Sequence, residues 1–440
     1  YEVVDAEARW RSDAQMPRLP ISSKAPPSEA PIPGAGSPPT IGEVWHECLK
    51  TEAGRELLAE TLGFDQVGAP IPDHVTLKNV IDSFPKEVFE LNPWKAWRSV
   101  AISVSSMAAC LWLISVVPPV LLPVAWFVAG TAFTGWFVVG HDCGHRSFCK
   151  TNWVEDLVGI LMFMPLIYPF EPWRLKHDQH HAFTNQLVHD TAWHPLMPEE
   201  VEAMPPLARR LVTSFLGSPF KLVASIGHWL QWHFDLSLYT KQQLPKVKLS
   251  LATTFLFMFG ALPLITLKLG VWGLVKYWLM PWLGFHFWLS AFTLVHHTAP
   301  HIPFKGRKEW NAAQAQLGGT VHCEFPKWVE VLCHDISVHI PHHCAMRIPS
   351  YNLRAAHESL EKNWGPHLNK TSLPKHWKLL LKCCSDLHVY DRELNYVSFD
   401  AAVDSHVPKA MLQGQRWAAG PEQPDGYQRA WYPSTPAAAP

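Results

Sequence analysis

AISVSSMAACLWLISVVPPVLLPVAWFVAGTAFTGWFVVG, residues 101–140, contains no Asp, Glu, Lys, Arg or His. Pro118 and Pro119 interrupt it near the middle. A helix rises about 1.5 Å per residue, so about 20 apolar residues cross a hydrocarbon layer about 30 Å thick. A stretch twice that length with a central break predicts a helical hairpin, down and back. A second block repeats the form. Residues 249–267 are uncharged, Lys268 and Lys276 bracket a short turn, and residues 277–295 are apolar apart from His286. The expected spans are about 101–118, 120–140, 249–267 and 277–296.

Each hairpin returns the chain to the side it left, which places 1–100, 141–248 and 296–440 on one face. Lys86, Lys95, Arg98, Lys150, Arg174, Lys176, Arg209, Arg210, Lys246 and Lys248 fall on that face, near the membrane in sequence. The opposite face has only Lys268 and Lys276, in agreement with the positive-inside bias. Further out, residues 1–40 hold the run SSKAPPSEAPIPGAGSPPT and read as a disordered arm. Residues 41–100 read as short helical and interfacial pieces, and the chain from 407 to 440 as a loose tail. The apolar stretch LVGILMFMPLIYPF, 157–170, is too short to span and predicts a re-entrant or interfacial segment. Residues 207–240 mix arginines, tryptophans and an apolar face, as would a helix lying along the interface.

Composition agrees. Of 440 residues 17% are charged, 22 are tryptophan, and the formal net charge of -1 gives no nucleic-acid footprint. Nine scattered cysteines form no repeated C-x-x-C pair, which argues against a disulfide framework or zinc module and for reduced thiols. The sequence begins at Tyr1 rather than Met, which reads as a processed form or a fragment, and no secretory leader is visible there.

The unusual number is 25 histidines. Three clusters stand out: HDCGH with His141 and His145, HDQHH with His177, His180 and His181, and HIPHH with His339, His342 and His343. Residues three and four apart share a helix face, so each cluster can aim its imidazoles at one point. The topology puts all three on one side of the membrane at similar depth. Isolated histidines such as His46, His228 and His388 read instead as ordinary core or surface residues. Eight imidazoles are too many for one ion and divide naturally between two. LVHHTAPHIP, where the fourth span emerges, offers His296 or His297 as a ninth. Imidazole suits zinc, copper, iron and nickel alike. No H-E-x-x-H supplies a zincin base, and no facing Glu-x-x-His pairs supply a carboxylate-bridged di-iron bundle. Two redox-capable ions on neutral nitrogen ligands suit dioxygen activation and attack on an unactivated C–H bond. Beside a bilayer, the substrate is a hydrocarbon tail and the product a double bond or an alcohol. A histidine-lined transporter would need polar residues through its spans, which are nearly absent.

The order HDCGH, HDQHH, HIPHH around two hairpins resembles the membrane-bound fatty acid desaturases, over about residues 85–400, although hydroxylases, conjugases and acetylenases share the pattern. GHDCGHRSFCKTNWVEDLVG, PLIYPFEPWRLKHDQHHAFTN, DTAWHP and HIPHHCAMRIPSYNLR are similar to the plastid omega-6 (delta-12) branch of plants and algae. The resemblance implies an all-α integral membrane protein, with four transmembrane helices in two hairpins and a helical catalytic cap on one face. The desaturase domain would cover 101–406. It implies a non-haem di-iron centre held by His141, His145, His177, His180, His181, His339, His342 and His343, with His297 a better ninth ligand than His296. Arg146, where relatives often carry another histidine, is excluded. The implied reaction converts monounsaturated 16- and 18-carbon chains of chloroplast glycerolipids to diunsaturated ones, using dioxygen and reduced ferredoxin. The runner-up readings are an omega-3 or other plastid desaturase and a lipid or carotenoid hydroxylase. The implied location is a chloroplast membrane, inner envelope or thylakoid, with the catalytic face toward the stroma.

Ring-orienting partners are expected among Asp142, Asp178, Asp190 and Asp335, since a ligating imidazole usually gives its other N–H to a carboxylate or carbonyl. Asn185 is a candidate to hold a metal-bound water. No G-x-G-x-x-G fingerprint or haem domain is present, so electrons must come from a separate carrier, and an acidic protein would suit the basic face.

Overall fold

The computed structural model describes residues 48–187, 189–373, 375–391 and 394–400. The expected arm at 1–40 and tail at 407–440 lie outside these residues.

Helices α1 (Glu52–Leu62) and α2 (Leu77–Asp82) precede the first hairpin, α3 (Pro93–Val116) and α4 (Leu122–Gly144). α3 starts before the expected residue 101. Asn92 accepts a hydrogen bond from the Lys95 amide at 3.1 Å and Pro93 takes the first helical position, a start signal that outweighs the exposed Lys95 and Arg98. The break falls at Pro118 and Pro119 as expected. α4 runs past residue 140 and therefore carries His141 on its last turn.

Next come α5 (Asn152–Phe163) and α6 (Phe170–Ala182), bent by 101° across a short elbow. This is the form expected of a re-entrant segment. Irregular backbone beside hydrocarbon must still satisfy its polar groups. Three indoles do so here: Trp278, Trp282 and Trp229 donate to the carbonyls of Pro165, Leu166 and Ile167 at 2.9, 2.8 and 2.8 Å. Ile167 sits at φ +50°, a conformation costly for a β-branched residue and held by this surrounding packing.

Residues 207–240 are not one interfacial helix. After α7 (Pro198–Ala203), α8 (Pro206–Leu216) stops at Gly217, Ser218 and Pro219, a short 3-10 turn follows, and α9 (Ser225–Trp232) begins anew. Lys221 in that turn points inward and donates to the carbonyls of Cys383 and Leu387 at 2.7 and 2.8 Å.

The second hairpin is α10 (Leu244–Leu256), α11 (Leu262–Leu274) and α12 (Met280–His297), linked by π-helical turns. The segment breaks at Gly270, whose φ of +72° favours glycine. It doubles back. The Glu171 amide donates to Ser250 at 2.9 Å, and the His180 and His297 rings lie 4.8 Å apart. Along a straight helix Ser250 and His297 would stand about 70 Å apart, whereas Glu171 and His180 on α6 are separated by only about 14 Å. The turn thus lies between Lys268 and Lys276, as the sequence predicts. Among the described residues three helical stretches are long and apolar enough to span, α3, Pro119–Gly144 and the 54-residue run Leu244–His297 that breaks at Gly270, and the bent pair of α5 and α6 would be a fourth if taken as one span. α12 packs most extensively on α4. At their crossing the backbones of Gly130 and Gly284 touch, and a Cβ on Gly130 would come within 2.5 Å of the Gly284 Cα.

The cap holds α13 (Lys327–Leu332), α14 (His339–Cys344), α15 (Leu353–Trp364) and α16 (His376–Ser385). It also holds two small ladders that an all-helical reading omits. β1 (Val321–Glu324) pairs in parallel with β2 (Asn369–Ser372), and β3 (Val389–Asp391) pairs antiparallel with β4 (Asn395–Val397). Leu58, Leu62 and Phe64 bury against Val321, Leu379 and Leu380, while Val80 and Phe84 bury against Ile340 and Leu360. The N-terminal helices are thereby built into the cap. All nine cysteines are free.

Candidate metal centre

Every box histidine lies at one place, under the cap, where α4, α6, α12 and α14 meet. The last turn of α4 brings His141 and its C-cap brings His145; α6 brings His177, His180 and His181; α14 brings His339, His342 and His343; the last turn of α12 brings His297. Pro341 falls in the first turn of α14, where its missing N–H leaves no bond unmade.

The rings sort into two groups. His141, His145, His177, His181 and His342 offer nitrogens all within 4.8 Å of one another. His180, His297 and His343 do the same. His339 stands beside the second group, its Nε2 3.1 Å from His297 Nε2. The doubled histidines are thus divided. His181 and His342 face the first group, while their sequence neighbours His180 and His343 face the second, because consecutive helical residues point about 100° apart. The groups adjoin: the His181 and His343 rings stack at 4.2 Å.

The donor set fits two transition-metal ions. His145 has neither ring nitrogen hydrogen-bonded, and His141 Nδ1, His181 Nδ1, His342 Nε2 and His343 Nε2 are likewise buried without a partner. Buried polar atoms left unpaired are costly, and a metal ion would satisfy them. Burial, reinforced by neighbouring imidazoles, holds His339, His342 and His343 well below the ordinary histidine value. Burial thus favours the neutral ring, the form that has a lone pair to offer.

His296 is also buried, but it stacks on His339 at 4.0 Å and on Phe292, outside both groups. Of the four expected aspartates, Asp190 reaches a ring: its Oδ1 accepts from His180 Nδ1 at 2.7 Å, and its Oδ2 accepts the Asn185 amide at 2.7 Å. Asp142 stands 3.7 Å from His141 Nδ1 and accepts instead from the Ser350 amide. Asp178 is 3.9 Å from His145 and ion-paired to Arg174. Asp335 is bound to Arg354. Asn185 donates to the carbonyl of His297 at 3.2 Å, so its amide braces the backbone of α12. Arg146 is tied to Asp156 and to the fully buried Glu155, which also accepts the amides of Phe148 and Cys149.

One brace was not foreseen. Gln316 is buried, accepts from His343 Nδ1 at 2.9 Å, and donates to the carbonyl of His181. Nothing in its spacing marks it; only the folded path of 314–318 brings it to the boxes.

Alongside the rings runs a mainly apolar pocket that is partly open to the outside. Phe137, Tyr168, Trp173, Leu289 and Phe292 contribute its apolar wall, and His141, His177, His180, His297 and His339 border it. It therefore suits a hydrocarbon chain presented to the metal centre.

A sequence model of the fatty acid desaturase family matches residues 81–372. The chloroplastic omega-6 fatty acid desaturase of Brassica napus is 57% identical over 346 residues, covering 79% of this chain and 77% of the relative. The chloroplastic omega-6 desaturase of Arabidopsis thaliana is 56% identical, with 79% and 76% covered. The sn-1 oleoyl-lipid 12-desaturase of a Synechocystis strain is 51% identical over 330 residues, covering 75% of this chain and 93% of the relative.

Proposed function

The chain belongs to the fatty acid desaturase family, and on that premise we propose that it is a plastid acyl-lipid omega-6 (delta-12) desaturase. Its substrates are monounsaturated 16- and 18-carbon chains of membrane glycerolipids, and its products are diunsaturated. The observation that carries this reading is the bordering of an apolar cavity by two adjoining groups of buried imidazoles. The names of its relatives support the position of the new bond.

His141, His145, His177, His181 and His342 would hold one iron, and His180, His297 and His343 with His339 the other. When bound, the two irons supply activation of dioxygen for removal of hydrogen from unactivated carbon. Overall, two hydrogens leave adjacent carbons, and dioxygen takes them together with two electrons and two protons, giving two waters. The protein's own contribution is placement. Asp190 and Gln316 each take the Nδ1–H of a ring, which leaves the Nε2 of His180 and His343 for metal. The aromatic wall of the cavity excludes water and orients the acyl chain. Reduced ferredoxin would supply the electrons at the stromal face of a chloroplast membrane.

Expression in a host that makes only monounsaturated chains tests the reading. Fatty acids with a new double bond at the omega-6 position are expected. A bond at omega-3, an added hydroxyl, or unchanged chains would each overturn it. In reconstituted membranes turnover should require both oxygen and reduced ferredoxin.

A further inference from the structure

The metal centre is buried, so electrons must cross the cap, and the rate of such transfer falls steeply with distance. Resting on the desaturase reading above, we propose that a small acidic electron-carrier protein docks on the loop 305–310 and delivers electrons through Trp310 and Thr184 to His343. The loop reads KGRKEW and follows the fourth span, on the cap side. Arg307 and Lys308 are exposed, Lys305 is half-buried, and among the described residues none of the three is ion-paired to a carboxylate. Several other cations near the site are spent on internal partners. Arg146 is paired with Asp156, Arg174 with Glu171 and Asp178, Lys246 with Asp156, and Arg354 with Asp335.

Contacts lead inward from this loop. The half-buried Trp310 donates its indole N–H to the Thr184 carbonyl at 2.8 Å. The Thr184 hydroxyl, fully buried, lies 3.3 Å from His343 Nδ1. The loop is anchored to the same segment, since the Lys305 amide donates to the Asn185 carbonyl and the Leu187 amide to the Lys305 carbonyl, at 2.9 and 3.1 Å. A partner seated on Arg307 and Lys308 would thus rest two residues' contacts from a metal-facing ring. The lipid cavity borders the centre on a different set of residues, so a docked carrier and a bound acyl chain need not compete. The step itself is simple. Each carrier would give up one electron, so two dockings would supply the two electrons that the overall reaction consumes with dioxygen and two protons.

The test uses the full chain in nanodiscs of glycerolipid carrying monounsaturated chains, with two donors: reduced ferredoxin, and dithionite-reduced methyl viologen, which needs no docking surface. In the double variant Arg307→Glu, Lys308→Glu, KM for ferredoxin should rise about tenfold or more and its salt dependence should flatten, while viologen-driven turnover stays at the wild-type level. Trp310→Leu should slow ferredoxin-driven turnover more than Trp310→Phe, which keeps an aromatic ring. An unchanged KM and salt dependence in the charge-reversed variant would overturn the docking site and leave the desaturase reading standing. Absence of desaturation by the wild type with both donors would overturn that reading and the docking site with it.

Discussion

In the five-membered histidine group the nearest carboxylates stop short of the rings, with Asp142 at 3.7 Å from His141 and Asp178 at 3.9 Å from His145. In the smaller group the rings are held from behind: His180 by Asp190 at 2.7 Å, His343 by Gln316 at 2.9 Å, and the backbone of His297 by Asn185. α6 and α14 feed both groups, so helix position alone does not explain the contrast. Ligand number does. Five imidazoles converging on one ion tolerate some freedom in each, whereas a centre with three, plus His339 beside it, depends on each ring keeping its tautomer and angle.

The sharpest way to break this comparison is to remove one ring from each group. His343→Ala should abolish product formation and lower iron towards one ion per chain. His181→Ala should also abolish product, yet retain more of its iron, because four imidazoles remain. Metal analysis of purified, membrane-inserted protein checks both, and equal iron loss in the two variants would remove the distinction. Next in size is Asp190→Asn, which keeps the shape but weakens the hold on His180. Iron affinity or activity should fall about 10- to 100-fold, read by chelator titration. Gln316→Ala should cost about tenfold or less, since the amide is a neutral acceptor and Thr184 also approaches the same nitrogen. The smallest effect is expected for His296→Ala. This residue packs on His339 without joining either group, so iron content should stay at the wild-type level, whereas His297→Ala should behave like His343→Ala.

Sequence reading reached the parts governed by local rules. Forty uncharged residues interrupted by Pro118 and Pro119 specify a hairpin, and i, i+4 spacing specifies which face His177 and His181 share. It did not reach what depends on chain paths meeting in space. The division of HH pairs between two centres, the choice of Gln316, and the inward turn of Lys221 all follow from tertiary contacts. The expected helix over 207–240 fails for a local reason: Gly217, Ser218 and Pro219 in succession stop a helix. The β1 and β2 ladder joins segments far apart in the chain, at a length of four residues each, and leaves almost no periodic trace.

One consequence follows from α4 being both a bilayer span and the carrier of His141 on its final turn. There is no hinge between the part that meets lipid and the part that meets metal. Inserting a single residue between Gly130 and His141 would swing that imidazole by about 100° and raise it by about 1.5 Å, dismantling the centre while barely altering the hydrophobic length. The helix therefore acts as a fixed gauge: the depth at which a carbon is oxidised is written into its residue count, and any change in bilayer thickness has to be absorbed elsewhere, at α3 or the proline turn.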